Sequence, residues 1–147
     1  ELDSIAIPEG IISIGHAAFK GCIGLETLTI PQSVVRIGEY AFQGCLGLTE
    51  VTIPGNVVSL EVGAFGQCSS LITVTLCKGV ESVEEYAFYK CENLTVAAVA
   101  DTETSLGPDA FGEAAPSFCM ITIKGSTAES YCLEQGINYI CDVQESA

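Results

Sequence analysis

The sequence predicts a solenoid, a chain wound into short coils that each bury an apolar side against the next. Two spacings carry the prediction. Phenylalanines fall at Phe19, Phe42, Phe65, Phe88 and Phe111, a constant step of 23, and Cys22, Cys45, Cys68 and Cys91 keep the same step. A fixed period of this size marks repeat units that cannot bury their apolar face alone and must stack. Composition agrees: 48% of the 147 residues are hydrophobic and the mean hydropathy is +0.43. Yet the longest aliphatic run, Val96-Ala97-Ala98-Val99-Ala100, is far short of the roughly 20 residues that span a bilayer. The surplus apolar content is spread at the repeat period and so belongs to a core.

Each coil opens with a short strand. Leu2, Leu25, Leu48, Leu71 and Leu94 begin the five coils, and the trios Leu25/Leu28/Ile30, Leu48/Val51/Ile53 and Leu71/Val74/Leu76 follow. The last two residues of each trio alternate with polar ones, the signature of a strand with one buried face. A turn comes next, marked by Pro8, Pro31 and Pro54, with Cys77 and Ala100 in that place later. A second apolar pair three apart (Ile11 with Ile14, Val34 with Ile37, Val57 with Leu60, Val80 with Val83) predicts a second short extended stretch on the opposite side of the coil. The coil closes with Ala18-Phe19-x-x-Cys22 and its copies, which suits one short helical turn with the Phe rings stacked.

The pattern thins toward the C-terminus. Glu103 takes the place of the second-stretch valine, and one extra residue precedes Phe118, which opens a sixth strand. Ser126-Thr-Ala-Glu129 is a capping box that starts a helix over 126–135. That helix puts Ala128, Tyr131, Cys132 and Gln135 on one face and stops at Gly136. A strand over 138–143 follows. Residues 1–123 therefore read as five repeats plus a sixth strand, and 124–147 as a cap over the open end of one continuous domain. The first coil starts bare at Leu2, so the natural protein is expected to continue N-terminally. As it stands, that strand edge is free to pair with a neighbour.

Nineteen acids against five bases give a net charge of −14. Such a surface repels phosphate backbones and anionic lipid, and no Lys/Arg cluster offsets it, so nucleic-acid binding and membrane insertion are not expected. Like residues of successive coils should stack about 4.8 Å apart with side chains pointing the same way, which is poor disulfide geometry. The four periodic cysteines therefore read as a ladder of buried thiols. Cys77, Cys119, Cys132 and Cys141 lie off the period, and a Cys132–Cys141 bridge stays open.

Catalytic chemistry finds no footing. His16 is the single histidine, and other coils carry Glu39, Val62, Glu85 and Pro108 in its slot, so the position reads as outward and unspecialised. No phosphate-cradling glycine motif occurs. The one metal option is a weak calcium site at Glu61, Glu84 and Glu85, set against the preferred reading of a solvated acidic face. No cofactor is expected. What remains is the face of the leading strands, with Ser4, Ala6, Thr27, Thr29, Glu50, Thr52, Thr73, Thr75, Val96, Ala98, Met120 and Thr122 expected to point outward. Threonine suits any exposed strand, but a flat row of small residues is also the surface a solenoid offers to a protein or glycan.

The run Leu25-x-x-Leu28-Thr-Ile30-Pro31-x-x-Val34-x-x-Ile37-Gly38-x-x-Ala41-Phe42-x-Gly44-Cys45, with its four copies and the ending Gly125 to Gly136, resembles the BspA-like leucine-rich repeats. The resemblance spans Leu2 to about Cys141. It implies a leucine-rich-repeat solenoid, a right-handed β-α superhelix rich in strands with short helical turns. It also implies a secreted or cell-surface setting in a host-associated microbe, and adhesion-type binding of proteins. The expectation is a non-catalytic extracellular protein-binding module. The alternative is a rigid spacer or stalk within a larger surface protein.

Overall fold

A computed structural model describes residues 4–142. Leu2, the expected opening of the first coil, and Val143, the expected end of the last strand, lie outside them. Among the described residues the chain forms twelve strands and one helix. In chain order the strands are β1 (Ser4–Ala6), β2 (Ser13–Ile14), β3 (Thr27–Thr29), β4 (Arg36–Ile37), β5 (Glu50–Ile53) and β6 (Ser59–Leu60). They continue with β7 (Thr73–Leu76), β8 (Ser82–Val83), β9 (Val96–Val99), β10 (Ser105–Leu106), β11 (Cys119–Ile123), helix α1 (Thr127–Gln135) and β12 (Asn138–Asp142).

Two kinds of strand alternate along the chain, and each kind stacks on its own side of the coil. The leading strands form a parallel sheet in the order β5-β7-β9-β11-β12, with β1 and β3 as a separate parallel pair. The second strands form a sheet β2-β4-β6-β8-β10. The register is the repeat itself: Thr52 pairs Thr75, Thr75 pairs Ala98 and Arg36 pairs Ser59, each one whole repeat on. Alternation then decides the faces, so Val51 and Ile53, Val74 and Leu76, and Ala97 and Val99 are all buried.

The third side, where the sequence predicts a short helical turn, is a series of hydrogen-bonded turns instead. Each Phe N–H donates 2.7 Å to the carbonyl of the Ala one coil on: Phe19 to Ala41, Phe42 to Ala64, Phe65 to Ala87 and Phe88 to Ala110. Flanking residues do the same, with Tyr40 donating to Val62 and Gly44 to Gly66. This ladder holds two columns in the left-handed region. One runs Ala17, Tyr40, Gly63, Tyr86, Asp109 and the other Gly21, Gly44, Gln67, Lys90, Glu113, all with φ between 54° and 76°. Positive φ on both sides of the Phe stops a helix from propagating, and it turns the N–H groups toward the next coil. For a non-glycine residue that conformation costs about 1–2 kcal/mol.

The core is a set of single files. Neighbouring Phe rings from Phe19 to Phe111 stack with centroids 4.9–5.5 Å apart and planes within 9°. Leu25, Leu48, Leu71 and Leu94 form a fully buried second file. In the third, Cys45, Cys68 and Cys91 are buried free thiols that donate to the carbonyls of Phe19, Phe42 and Phe65 at 3.2–3.3 Å. The bond satisfies the sulfur inside an apolar interior. Burial pushes the Cys45 thiol up to about 12. Cys68 is raised in the same direction, first by its hydrogen bond with Cys91 and then by burial.

At the C-terminal end the repeat is repaired in ways the period alone does not show. Glu103 is exposed, and the vacant valine slot is filled by Thr104, whose buried hydroxyl donates to Val80 O at 2.7 Å. Phe118 extends the aromatic file, 5.6 Å from Phe111. Ser126 caps α1, accepting from the Glu129 N–H at 3.1 Å, while Glu129 Oε1 accepts from Gly125 N–H at 2.7 Å. Gly136, at φ 69°, ends the helix. Ala128, Tyr131 and Cys132 are buried, whereas Gln135 is exposed. Cys132 and Cys141 are both free, with Cys132 Sγ beside Met120 Sδ at 3.5 Å and Cys141 Sγ against Glu129 Oε2 at 3.4 Å.

Candidate binding face

The leading sheet turns one face to the core and the other to solvent. Ser4, Ala6, Thr27, Thr29, Glu50, Thr52 and Thr75 are exposed on it, and Thr73, Val96 and Ala98 are half-buried. Parallel pairing puts Glu50, Thr73 and Val96 in one row across β5, β7 and β9, and Thr52, Thr75 and Ala98 in the next.

Met120 and Thr122 do not belong to this face. Both are fully buried. Cys119 pairs with Val96, Met120 with Ala97 and Ile121 with Ala98, so β11 keeps the strict step of one repeat. Counting from Phe118 as the equivalent of Leu94 shifts the strand by one residue, and one residue exchanges every inward side chain for an outward one. The outward residues are Cys119, half-buried, and Ile121, 36% exposed. β12 prolongs the face, since Ile140 pairs with Ile121 and is 61% exposed. The unbroken repeat step from Ala98 to Ile121 is the signal that could have found this. Nothing in the repeat announces Ile140, because β12 follows α1 and lies outside the 23-residue pattern.

The face is therefore graded. Its early strands carry serine, threonine, Ala6 and one glutamate, and its later strands carry Val96, Ala98, Ile121 and Ile140. Of these, Ile121 and Ile140 are exposed and Val96 and Ala98 half-buried, and contiguous apolar residues at a surface mark contact sites more often than isolated ones do.

The acidic trio does not assemble. Glu61 is half-buried and forms an ion pair with Arg36, Nε to Oε2 2.6 Å. Glu84 and Glu85 are exposed. Among the described residues no group of three or more His, Cys, Asp or Glu side chains is placed to hold a metal ion. The Arg36–Glu61 pair is not legible in the period, because the two do not stand a whole repeat apart. His16 is exposed, 3.7 Å from Glu39 Oε1 and edge-on to Tyr40.

Near-identical coils with a leading parallel sheet, followed by a helix and a strand, define a repeat solenoid. Residues 1–115 match six copies of the BspA type leucine rich repeat region. The chain belongs to the BspA-type leucine-rich repeat family. No curated protein matches it. Among solved structures, it is similar to a leucine rich cell surface protein from Faecalibacterium prausnitzii A2-165 (28% identity, TM-score 0.75), covering 89% of this chain and 34% of that one. It is also similar in fold to the T. pallidum leucine rich repeat protein (24% identity, TM-score 0.74), covering 81% of this chain and 58% of that one. The chain thus spans about a third and just over half of the lengths of these two proteins. No helix among the described residues is long and apolar enough to cross a membrane.

Proposed function

We propose that this chain is a non-catalytic protein-binding module that works at the cell surface or after secretion, with the leading-strand face as its contact surface. The observation that carries the reading is the grading of that face: a threonine field running into the apolar group Val96, Ala98, Ile121 and Ile140. Apolar residues flanked by polar ones are how protein contacts are commonly built. The family and the cell-surface protein from Faecalibacterium prausnitzii support the setting. In this reading 1–123 and 124–147 form one continuous domain, a right-handed superhelix closed by its cap. Adhesion to a host protein is the role it serves.

The test is a binding panel of purified host matrix proteins against wild type and the variants Thr75→Arg, Ala98→Arg and Ile121→Arg. Outward arginine leaves the fold in place and adds bulk and charge to the face. Loss of a wild-type interaction in all three supports the reading. Binding that survives all three places the contact elsewhere. A panel in which wild type binds nothing favours the second reading, a rigid spacer, for which the unbroken Phe file is the favouring observation.

A further inference from the structure

On the turn side of the coil, apart from the leading sheet, the left-handed columns carry a cleft of about 250 Å³. Tyr40, Tyr86, Tyr89, Gly63, Gly66, Gln43 and Gln67 line it. Tyr40, Gly63 and Tyr86 occupy one column in successive coils, so the cleft is a gap left by glycine between two tyrosines. Tyr86 and Tyr89 meet edge to face with centroids 5.0 Å apart, which fixes their orientation.

The lining sets the cleft apart from ordinary surface relief. Tyr40 and Tyr86 hold φ values of 57° and 61°, the conformation that Ala17 and Asp109 share in the same column, and Gly63 shows that the slot also accepts glycine. A Cβ on Gly63 would lie 2.5 Å from Tyr40 Cε1, so any side chain there would displace the ring that covers it. Gly66 differs: a Cβ on it would meet the Gly63, Tyr86 and Tyr89 carbonyl oxygens at 3.4–3.7 Å, ordinary contact distances, so its absence relieves no clash.

The lining also selects the ligand. The seven residues that line the cleft are uncharged, on a chain of net charge −14, and beside them the acid Glu113 accepts from the Tyr89 hydroxyl at 3.5 Å. Lys20 already sits over the Tyr40 ring at 5.8 Å and Lys90 over Tyr89 at 5.7 Å, so two rings carry a cation and a cationic guest would meet like charge. Primary amides offer donors and an acceptor together, which matches hydroxyl groups. The volume lies below the roughly 300 Å³ at which drug-sized sites begin, which suits a single ring. We propose that the cleft between Tyr40 and Tyr86 binds one neutral pyranose ring, the exposed sugar of a glycan, with its C–H face on tyrosine and its hydroxyls on Gln43 and Gln67.

Titration of the isotope-labelled chain with methyl β-glucopyranoside, methyl β-galactopyranoside and N-acetylglucosamine, each followed by amide shifts, tests this, with tetramethylammonium as the cationic control. At least one sugar should move the amides of Gly63, Gly66 and Gln67, and tetramethylammonium should not. Tyr86→Gly should weaken that sugar by about tenfold or more, the factor expected when a stacking ring is truncated. Its melting temperature should hold, because glycine relieves the backbone. Gly66→Gln, which copies Gln43 of the preceding coil and meets only ordinary contacts at its Cβ, should fill the cleft and abolish binding in a folded chain. Three silent sugars, shifts centred elsewhere, a response to tetramethylammonium, or unchanged affinity in folded Gly66→Gln would each overturn the proposal.

Discussion

Phe42 and Phe65 lie face to face, with ring centroids 4.9 Å apart and planes 8° from parallel. They stand one repeat apart in the chain, so the contact converts the sequence period directly into the coil spacing. Both rings are fully buried, and each belongs to a file that runs on to Phe118. Removing one ring from the middle should cost what a large aromatic cavity costs. Phe65→Ala is expected to lower stability by about 3–5 kcal/mol in urea titrations. Phe65→Leu, which refills most of the volume, should cost markedly less.

The register of β11 makes neighbouring residues behave in opposite ways. Met120 is fully buried and Ile121 is 36% exposed. Met120→Arg places an unpaired charge in the core and is expected to cost about 3–5 kcal/mol or to prevent folding. Ile121→Arg should change stability by roughly 0.5 kcal/mol or less, as surface substitutions do. Equal effects from the two would mean that the strand is misregistered.

The thiols divide four and four. Cys45, Cys68, Cys91 and Cys132 are buried, while Cys22, Cys77, Cys119 and Cys141 are half-exposed. Alkylation of the folded chain, read by mass spectrometry, should label the second set first and the first set only on unfolding.

Burial also sets an alkaline limit. The folded Cys45 thiol is raised from 9.0 to about 12, so the folded state keeps a proton that the unfolded chain gives up. The stability that this contributes is intact below pH 9.0 and declines as the pH rises toward about 12. The slope per thiol is at most about 1.4 kcal/mol per pH unit. Urea midpoints against pH should fall in that window, and Cys45→Ala should flatten the fall.

The cap responds at the other end of the scale. The Gly125 N–H holds the Glu129 carboxyl below its ordinary 4.5. A depressed carboxylate stabilises above its unfolded value and loses that contribution as the pH drops through the folded one. Exchange protection of the Gly125 amide should therefore fall on acidification below 4.5, and Glu129→Gln should remove the dependence.

What is legible in the sequence is what the repeat copies. Phe, Leu and Cys recur because one buried slot accepts little else, so their files and the alternating strand faces follow from counting. The left-handed columns are not legible, since Tyr40, Gln67, Tyr86 and Lys90 carry no mark of positive φ and only Gly21, Gly44 and Gly63 hint at it. That is why the sequence points to a helical turn beside Ala-Phe and why the tyrosine cleft is invisible in it. Thr104 and the true face of β11 lie where the pattern thins, and there residue type and residue count point to different registers. Side-chain pairings such as Arg36–Glu61 depend on reach across coils, which spacing does not record.

The central claim is that like residues of successive coils lie in single file. Proton cross-relaxation between the rings of Phe42, Phe65 and Phe88, with the rings selectively labelled, measures this most directly. Strong contacts for Phe42 with Phe65 and for Phe65 with Phe88, with none between Phe42 and Phe88, are the predicted result. A direct Phe42–Phe88 contact, or no contact between Phe42 and Phe65, would contradict it.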